Sequence, residues 1–226
     1  MSVMKIGIFG DSFSSKYRQN PSETYIDLLG KSYTVISYGL DGADIWYSVK
    51  KLIDSLPTEK FDIIIFFLTF PHRVLPPGLH FFQVPFEKSA RRQKLDWFKK
   101  QTNNAEEILN AISYYYDYLL DFEKNEFYRA RTIDWLLNFS NLILIDINEI
   151  NRVYIKEYEL WGITKDAKDN KFIDLRNNHM TAQSHQILYL KIKNMIDNKK
   201  FGKLDINQDD FPCTCPLGKE FYFKEK

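Results

Sequence analysis

Short runs of aliphatic and β-branched residues alternate along this chain with segments of helical periodicity, and this alternation is the strongest constraint on its fold. Five runs have the length of buried parallel strands: residues 5–9, 33–38, 62–68, 141–147 and, more weakly, 171–175. Helical spacing separates them, as in the apolar stripe from Ile45 to Leu56, which stops at Pro57 because proline cannot continue a helix. The alternation predicts an α/β three-layer sandwich with a mostly parallel five-stranded sheet.

The chain length suits a single α/β domain over residues 1–198, interrupted between the third and fourth predicted strands. The interruption, at about residues 76–140, begins in a stretch rich in proline, carries a basic run over residues 88–100 and then shows two helical patterns. A plain crossover needs far fewer residues, so we interpret the segment as a helical insertion, either a cap over a site or a contact between copies of the chain. Residues 199–226 lack periodicity and predict an irregular C-terminal tail. A partner or a second copy in a homo-oligomer is expected to bind through the insertion or the tail.

Charge and hydropathy exclude several classes of function. The chain has 31 basic and 30 acidic residues, a formal charge of +1, so we expect no binding to nucleic acid. The longest apolar run, residues 63–70, is far shorter than the ~20 residues that span a bilayer, and the first residues lack the pattern of a secretory signal. We therefore expect a cytoplasmic protein without a membrane span; a phage-encoded or assembly-attached protein would share these features.

Cys213 and Cys215 form a single Cys-x-Cys pair in the predicted tail. A structural zinc site takes about four ligands, so we interpret the pair either as two surface thiols or as part of a shared metal or redox site. For the domain itself we expect neither a metal nor another cofactor.

Polar and small residues follow the predicted strands at the points where each strand ends. Gly-Asp-Ser-Phe-Ser (residues 10–14) follows the first strand, Gly39 follows the second, and Thr69 and Arg73 follow the third. The last predicted strand leads to His179. In an open parallel sheet these loops meet at the carboxyl edge of the strands, where ligands bind. We therefore expect a serine, glycine amides and a histidine at one site.

These residues resemble the sequence blocks of the SGNH/GDSL hydrolases, a family of serine esterases, lipases and carbohydrate O-deacetylases. Residues 10–14 resemble the first block, Gly39 the second, and His179 followed by His185 the last, with the resemblance covering roughly residues 4–75 and 141–198. The resemblance implies a flavodoxin-like fold and an ester hydrolase of small-molecule or carbohydrate esters. It also implies that Ser12 is the nucleophile, that His179 is its general base, and that the amides of Ser12 and Gly39 bind the oxyanion.

Two positions depart from the family pattern. The triad acid of the family precedes the histidine by two or three residues, whereas here Asp174 stands five residues before His179. Either Asp174 or the neutral amide of Asn177 is expected to orient the imidazole. The asparagine that completes the oxyanion hole is also missing after the third strand. The candidate replacements are Thr69, His72 and Arg73.

Other interpretations of the same residues stay open at this point. One is a degenerate SGNH-like module that binds a glycan or a protein partner without catalysis. Another takes residues 10–15 as the phosphate loop of an FMN-binding electron carrier. Individual residues also have simple structural interpretations: Ser12 as a helix cap, Asp11 as a brace for its loop, Asp146 as an ordinary loop carboxylate, and His185 as packing at the start of the last helix.

Overall fold

The structure, a computed structural model, describes residues 3–15, 24–40, 43–68, 104–119, 121–146 and 182–206. These residues contain a five-stranded sheet in the order β2-β1-β3-β4-β5, in which every neighbouring pair is parallel. The strands are β1 (Lys5–Phe9), β2 (Thr34–Ser37), β3 (Ile63–Leu68), β4 (Leu142–Asp146) and β5 (Gly202–Lys203). The predicted α/β fold is therefore confirmed, and this strand order is the flavodoxin-like one.

The helices of the described residues connect and cover these strands. They are α1 (Tyr25–Gly30), α2 (Ile45–Ser55), α3 (Ala105–Tyr114), α4 (Phe122–Leu136) and α5 (Ala182–Asp197). A short 3-10 helix, Ser12–Ser14, follows β1, and a π-helical segment, Tyr115–Leu119, continues α3. In the described ranges, no helix has the length and apolar character needed to cross a membrane.

The strands pack between two apolar layers, and this explains why β3 is a continuous apolar run. All six residues of β3 are buried, because alternate side chains enter opposite layers. One layer contains Ile8, Ile65 and Ile143 with Leu29 of α1 and Ile192 of α5. The other layer contains Phe66 and Leu144 with Leu52 of α2 and Leu136 of α4. Helices thus cover both faces of the sheet.

The fifth strand comes from a part of the chain that was predicted to be tail. Residues 171–175 lie outside the described residues, and the fifth strand of the sheet is Gly202–Lys203. It pairs with Ile143 and Leu144 of β4, and the amide of Leu204 donates to the Leu144 carbonyl at 2.8 Å. A strand of two residues, one of them glycine, has no apolar alternation, so periodicity cannot reveal it.

Side-chain caps fix the first turns of α1 and α2. Thr24 and Asp27 form a capping box at α1: the Thr24 hydroxyl accepts from the Asp27 amide at 3.2 Å, and the Asp27 carboxylate accepts from the Thr24 amide at 3.0 Å. At α2, Oδ1 of Asp44 accepts from the amide of Tyr47 at 2.7 Å. Because each helix leads from one parallel strand to another, these capped turns lie at the carboxyl edge of the sheet.

Candidate functional site

The turn that follows β1, residues 10–15, holds Ser12 and is called the serine turn below. Asp11 is fully buried, and its Oδ1 accepts from the amide of Phe13 at 3.1 Å, while its carbonyl accepts from the amide of Ser14 at 2.9 Å. The expectation that Asp11 braces the loop is confirmed. The cap of the short helix is Asp11, and Ser12 is the first residue inside it, so the interpretation of Ser12 as the cap was wrong.

Three amides of the serine turn, those of Phe13, Ser14 and Ser15, are used within the turn itself. Those of Phe13 and Ser14 donate to Asp11, and that of Ser15 donates to the carbonyl of Ser12 at 3.3 Å. A phosphate loop needs several successive amides that point at the ligand. This arrangement disfavours the interpretation of the turn as an FMN phosphate site.

Gly39, which follows β2, lies directly against the serine turn. A Cβ added at this position would lie 2.5 Å from the amide nitrogen of Ser15 and closer still to the Ser14 carbonyl group, so only glycine fits here without a shift of the backbone. The amide of Leu40 donates to the Gly10 carbonyl at 3.2 Å, which holds the two loops together. The ends of β1 and β2, which were predicted to meet, are therefore in contact.

The amide of Gly39 already has a hydrogen-bond partner. It donates to Oγ of Ser37 at 3.3 Å, and the Ser37 hydroxyl in turn donates to the Ser14 carbonyl. The bond from Gly39 to Ser37 is long and therefore weak. An oxyanion carries a full charge and is a stronger acceptor than a hydroxyl, so it would compete with Ser37 for this amide. Ser12 is 6% exposed, so the residue is sheltered from bulk solvent.

Tyr25, the first residue of α1, links this helix to the serine turn. Its hydroxyl donates to the carbonyl of Phe13 at 3.0 Å. Burial raises the pKa of Tyr25 well above its ordinary value, a hydrogen bond with Ser14 opposes this, and the negative charge of Asp11 raises the pKa further. The hydroxyl is thus protonated at neutral pH and acts as a fixed donor.

His185, in the first turn of α5, contacts the same tyrosine from the other side. Its Nδ1 accepts from the amide of Tyr25 at 3.5 Å, and the two rings stack with centroids 5.8 Å apart. Burial lowers the pKa of His185 to about 4, although the charge of Asp27 raises it in part. The imidazole is therefore neutral at pH 7, and the expectation that His185 packs at the start of the last helix is confirmed.

The structure thus places Gly39 against the Ser14–Ser15 backbone of the serine turn, which also holds Ser12, at the carboxyl edge of the sheet. The other predicted site residues lie outside the described residues: Thr69, Arg73, Asp174, Asn177 and His179. Cys213 and Cys215 also lie outside them.

A largely buried ion pair lies at the end of β4, and the sequence does not predict it. Asp146 is the last residue of β4 and is 7% exposed, and its Oδ2 lies 2.5 Å from Nη2 of Arg129 in α4. The interpretation of Asp146 as an ordinary loop carboxylate was therefore wrong. Nε of Arg129 is buried and, within the part of the chain that the structure describes, has no hydrogen-bond partner. The ion pair joins α4, a helix of the predicted insertion, to the carboxyl edge of the sheet.

Comparison of the chain with models of known protein families finds no match, and comparison with curated proteins finds no relative. The resemblance to the SGNH/GDSL hydrolases thus depends on the quoted motifs alone. Among the described residues, no group of three or more histidine, cysteine, aspartate or glutamate side chains could hold a metal ion.

Proposed function

We propose that this chain is a serine ester hydrolase in which Ser12 is the nucleophile and His179 the general base. The observation that supports this most directly is the contact between Gly39 and the serine turn. It brings a serine and the glycine of a second strand end to the carboxyl edge of a parallel sheet, where α/β proteins bind their ligands. The substrate class proposed is a small ester, including an O-acyl group on a carbohydrate.

The contacts of Tyr25 support a position of His179 near Ser12. The amide of Tyr25 donates to Nδ1 of His185, and its hydroxyl donates to the carbonyl of Phe13, the residue after Ser12. The start of α5 is therefore linked to the serine turn through one residue. His179 precedes His185 by six residues, a length of chain that spans at most about 20 Å. The chain therefore allows the second imidazole to reach the serine.

In the proposed reaction, Oγ of Ser12 attacks the ester carbonyl while His179 takes its proton and then gives it to the leaving alcohol. The acyl group stays on Ser12 until a water molecule, deprotonated by His179, attacks it and releases the acid. The amide of Gly39 exchanges its long bond to Ser37 for the developing oxyanion.

Four further residues have proposed supporting roles. Asp174 or the amide of Asn177 orients His179 and stabilises its charged form. Thr69 or Arg73 supplies the third donor of the oxyanion hole, in place of the asparagine of the family.

The test is covalent labelling of the purified chain with a fluorophosphonate probe, together with hydrolysis of p-nitrophenyl acetate. We expect the probe on the peptide that contains Ser12, and we expect Ser12→Ala to lose both labelling and turnover. Ser14→Ala is the matched control, because it removes a hydroxyl from the same turn, one that contacts the Phe9 carbonyl at 3.4 Å and the Tyr25 side chain and has no proposed role in the reaction. Equal turnover of Ser12→Ala and the unchanged chain would refute the proposal.

A second candidate, a non-catalytic module of the same fold that binds a glycan or a protein partner, is favoured by one observation. The Gly39 amide already donates to Ser37, and Ser12 is sheltered from solvent, so the proposed oxyanion site is closed in this arrangement. If the fluorophosphonate probe does not label Ser12 of the purified chain, and the chain nevertheless binds a glycan, this candidate is favoured over the hydrolase.

A further inference from the structure

A groove of about 570 Å³ lies between α2 and α4, and we call it the α2–α4 groove. Val49, which lines it, also belongs to the core layer that the two helices share with the sheet. The serine turn contributes no residue to its lining. Its volume falls in the range of small-molecule sites, which is about 300–1,000 Å³.

The walls of the α2–α4 groove carry large apolar side chains that are open to solvent. Trp46 is 70% exposed, Ile53 is 49% exposed and Trp135 is 36% exposed. All three line the groove, Trp46 and Ile53 from α2 and Trp135 from α4. Single exposed apolar residues are ordinary on protein surfaces, whereas clustered ones often mark a binding site.

Among the described residues that line the groove, the charged ones are Arg129 and Arg131, and none is a carboxylate. Arg129 is held by the buried carboxylate of Asp146 and has little freedom to turn. Arg131 lies 2.9 Å from Asp134, and both side chains of this pair are more than half exposed. Exposed pairs of this kind contribute little, so the guanidinium of Arg131 can exchange Asp134 for another carboxylate.

We propose that the α2–α4 groove binds an apolar molecule that carries one carboxylate, of the fatty-acid type. The tail packs between Trp46 and Trp135 and over Ile53, and the head group binds Arg131. A planar guanidinium binds a carboxylate through two parallel hydrogen bonds, a geometry that an alcohol or an ammonium head cannot reproduce. This site does not depend on the proposed hydrolase activity.

The test is calorimetric titration of the full chain with dodecanoate, below the concentration at which it forms micelles, and with dodecyltrimethylammonium, which has the same tail and the opposite charge. We expect dodecanoate to bind at one site, and the ammonium compound to bind at least ~10-fold more weakly. Trp46→Ala and Arg131→Met are each expected to weaken dodecanoate binding by ~10-fold or more.

Lys50→Met is the matched control for Arg131→Met. Lys50 is an equally exposed cation in a helical ion pair with Asp54, but it does not line the groove, so its loss should leave the affinity unchanged. Equal binding of the two amphiphiles, or loss of affinity that is the same for all three variants, would overturn the proposal. So would a dimer in sedimentation velocity that Trp46→Ala dissociates, because a second copy of the chain would then occupy the groove.

Discussion

Protonation of His185 is expected to make the stability of the fold fall as the pH falls below neutrality. The pKa of this imidazole is about 4 in the folded chain, against about 6.5 when it is exposed in the unfolded chain. The unfolded state therefore binds more protons between these two values, so the free energy of unfolding decreases as the pH is lowered through this window. Linkage over the 2.5-unit difference gives a total loss of about 3 kcal/mol, of which about 2 kcal/mol occurs between pH 7 and pH 5.

Two variants isolate this contribution from that of every other titrating group. His185→Asn keeps an acceptor near the position of Nδ1, which receives the amide of Tyr25, and His185→Phe keeps the ring that stacks on Tyr25. Neither side chain titrates. Each variant loses part of the contact, so each should be less stable than the unchanged chain at pH 7 by about 1–2 kcal/mol.

The measurement is urea unfolding at pH 7, 6 and 5 for the unchanged chain and the two variants. We expect the unchanged chain to lose about 2 kcal/mol more than either variant between pH 7 and pH 5, so that the curves converge at the acid end. Parallel curves for all three proteins would show that His185 keeps its ordinary pKa in the folded state, and the argument from its burial would be refuted.

Three other predictions concern glycine packing, the buried ion pair and the α1 cap. Gly39→Ala places a Cβ against the serine turn and should lower the free energy of unfolding by about 2 kcal/mol or more, whereas Gly30→Ala, with no atom within 4 Å of the new Cβ, should raise it by about 0.5 kcal/mol. Arg129→Met removes a cation from the largely buried carboxylate of Asp146 and should cost about 1–3 kcal/mol, and adding Asp146→Leu should recover most of this; additive losses in a double-mutant cycle would contradict it. Thr24→Ala removes the capping hydroxyl of α1 and should cost about 1 kcal/mol in the same unfolding assay, and no change would mean that the cap is not used.

The parts of the fold that the sequence predicts are those in which burial imposes a pattern. β3 is covered on both faces and therefore reads as six apolar residues in a row, and α2 presents an apolar stripe up to Pro57. The capping box of Thr24 and Asp27 also had a recognisable signature, a threonine three residues before an acid at the start of an apolar run. The apolar spacing of this six-residue helix is too short to predict α1 by periodicity.

The parts that could not be predicted depend on contacts between distant residues. The motif indicates that Gly39 belongs at the site. It does not show that the backbone of the serine turn leaves no room for a side chain there, because that contact exists only in the folded chain. The pairing of Arg129 with Asp146 joins residues 17 positions apart in different elements, and no local rule selects this arginine from the other cations of α4.

The two-residue strand β5 covers part of the hydrogen-bonding edge of β4. β4 is entirely buried and made of aliphatic residues up to Asp146, and among the described residues β5 is its sole neighbour on the side away from β3. A chain shortened to residue 198 would leave the amides and carbonyls of that aliphatic strand without this partner, a surface on which other chains can add as strands. We therefore expect β5 to limit self-association, and Lys203, a charged residue on this outermost described strand, is of the type that natural sheets use for this purpose.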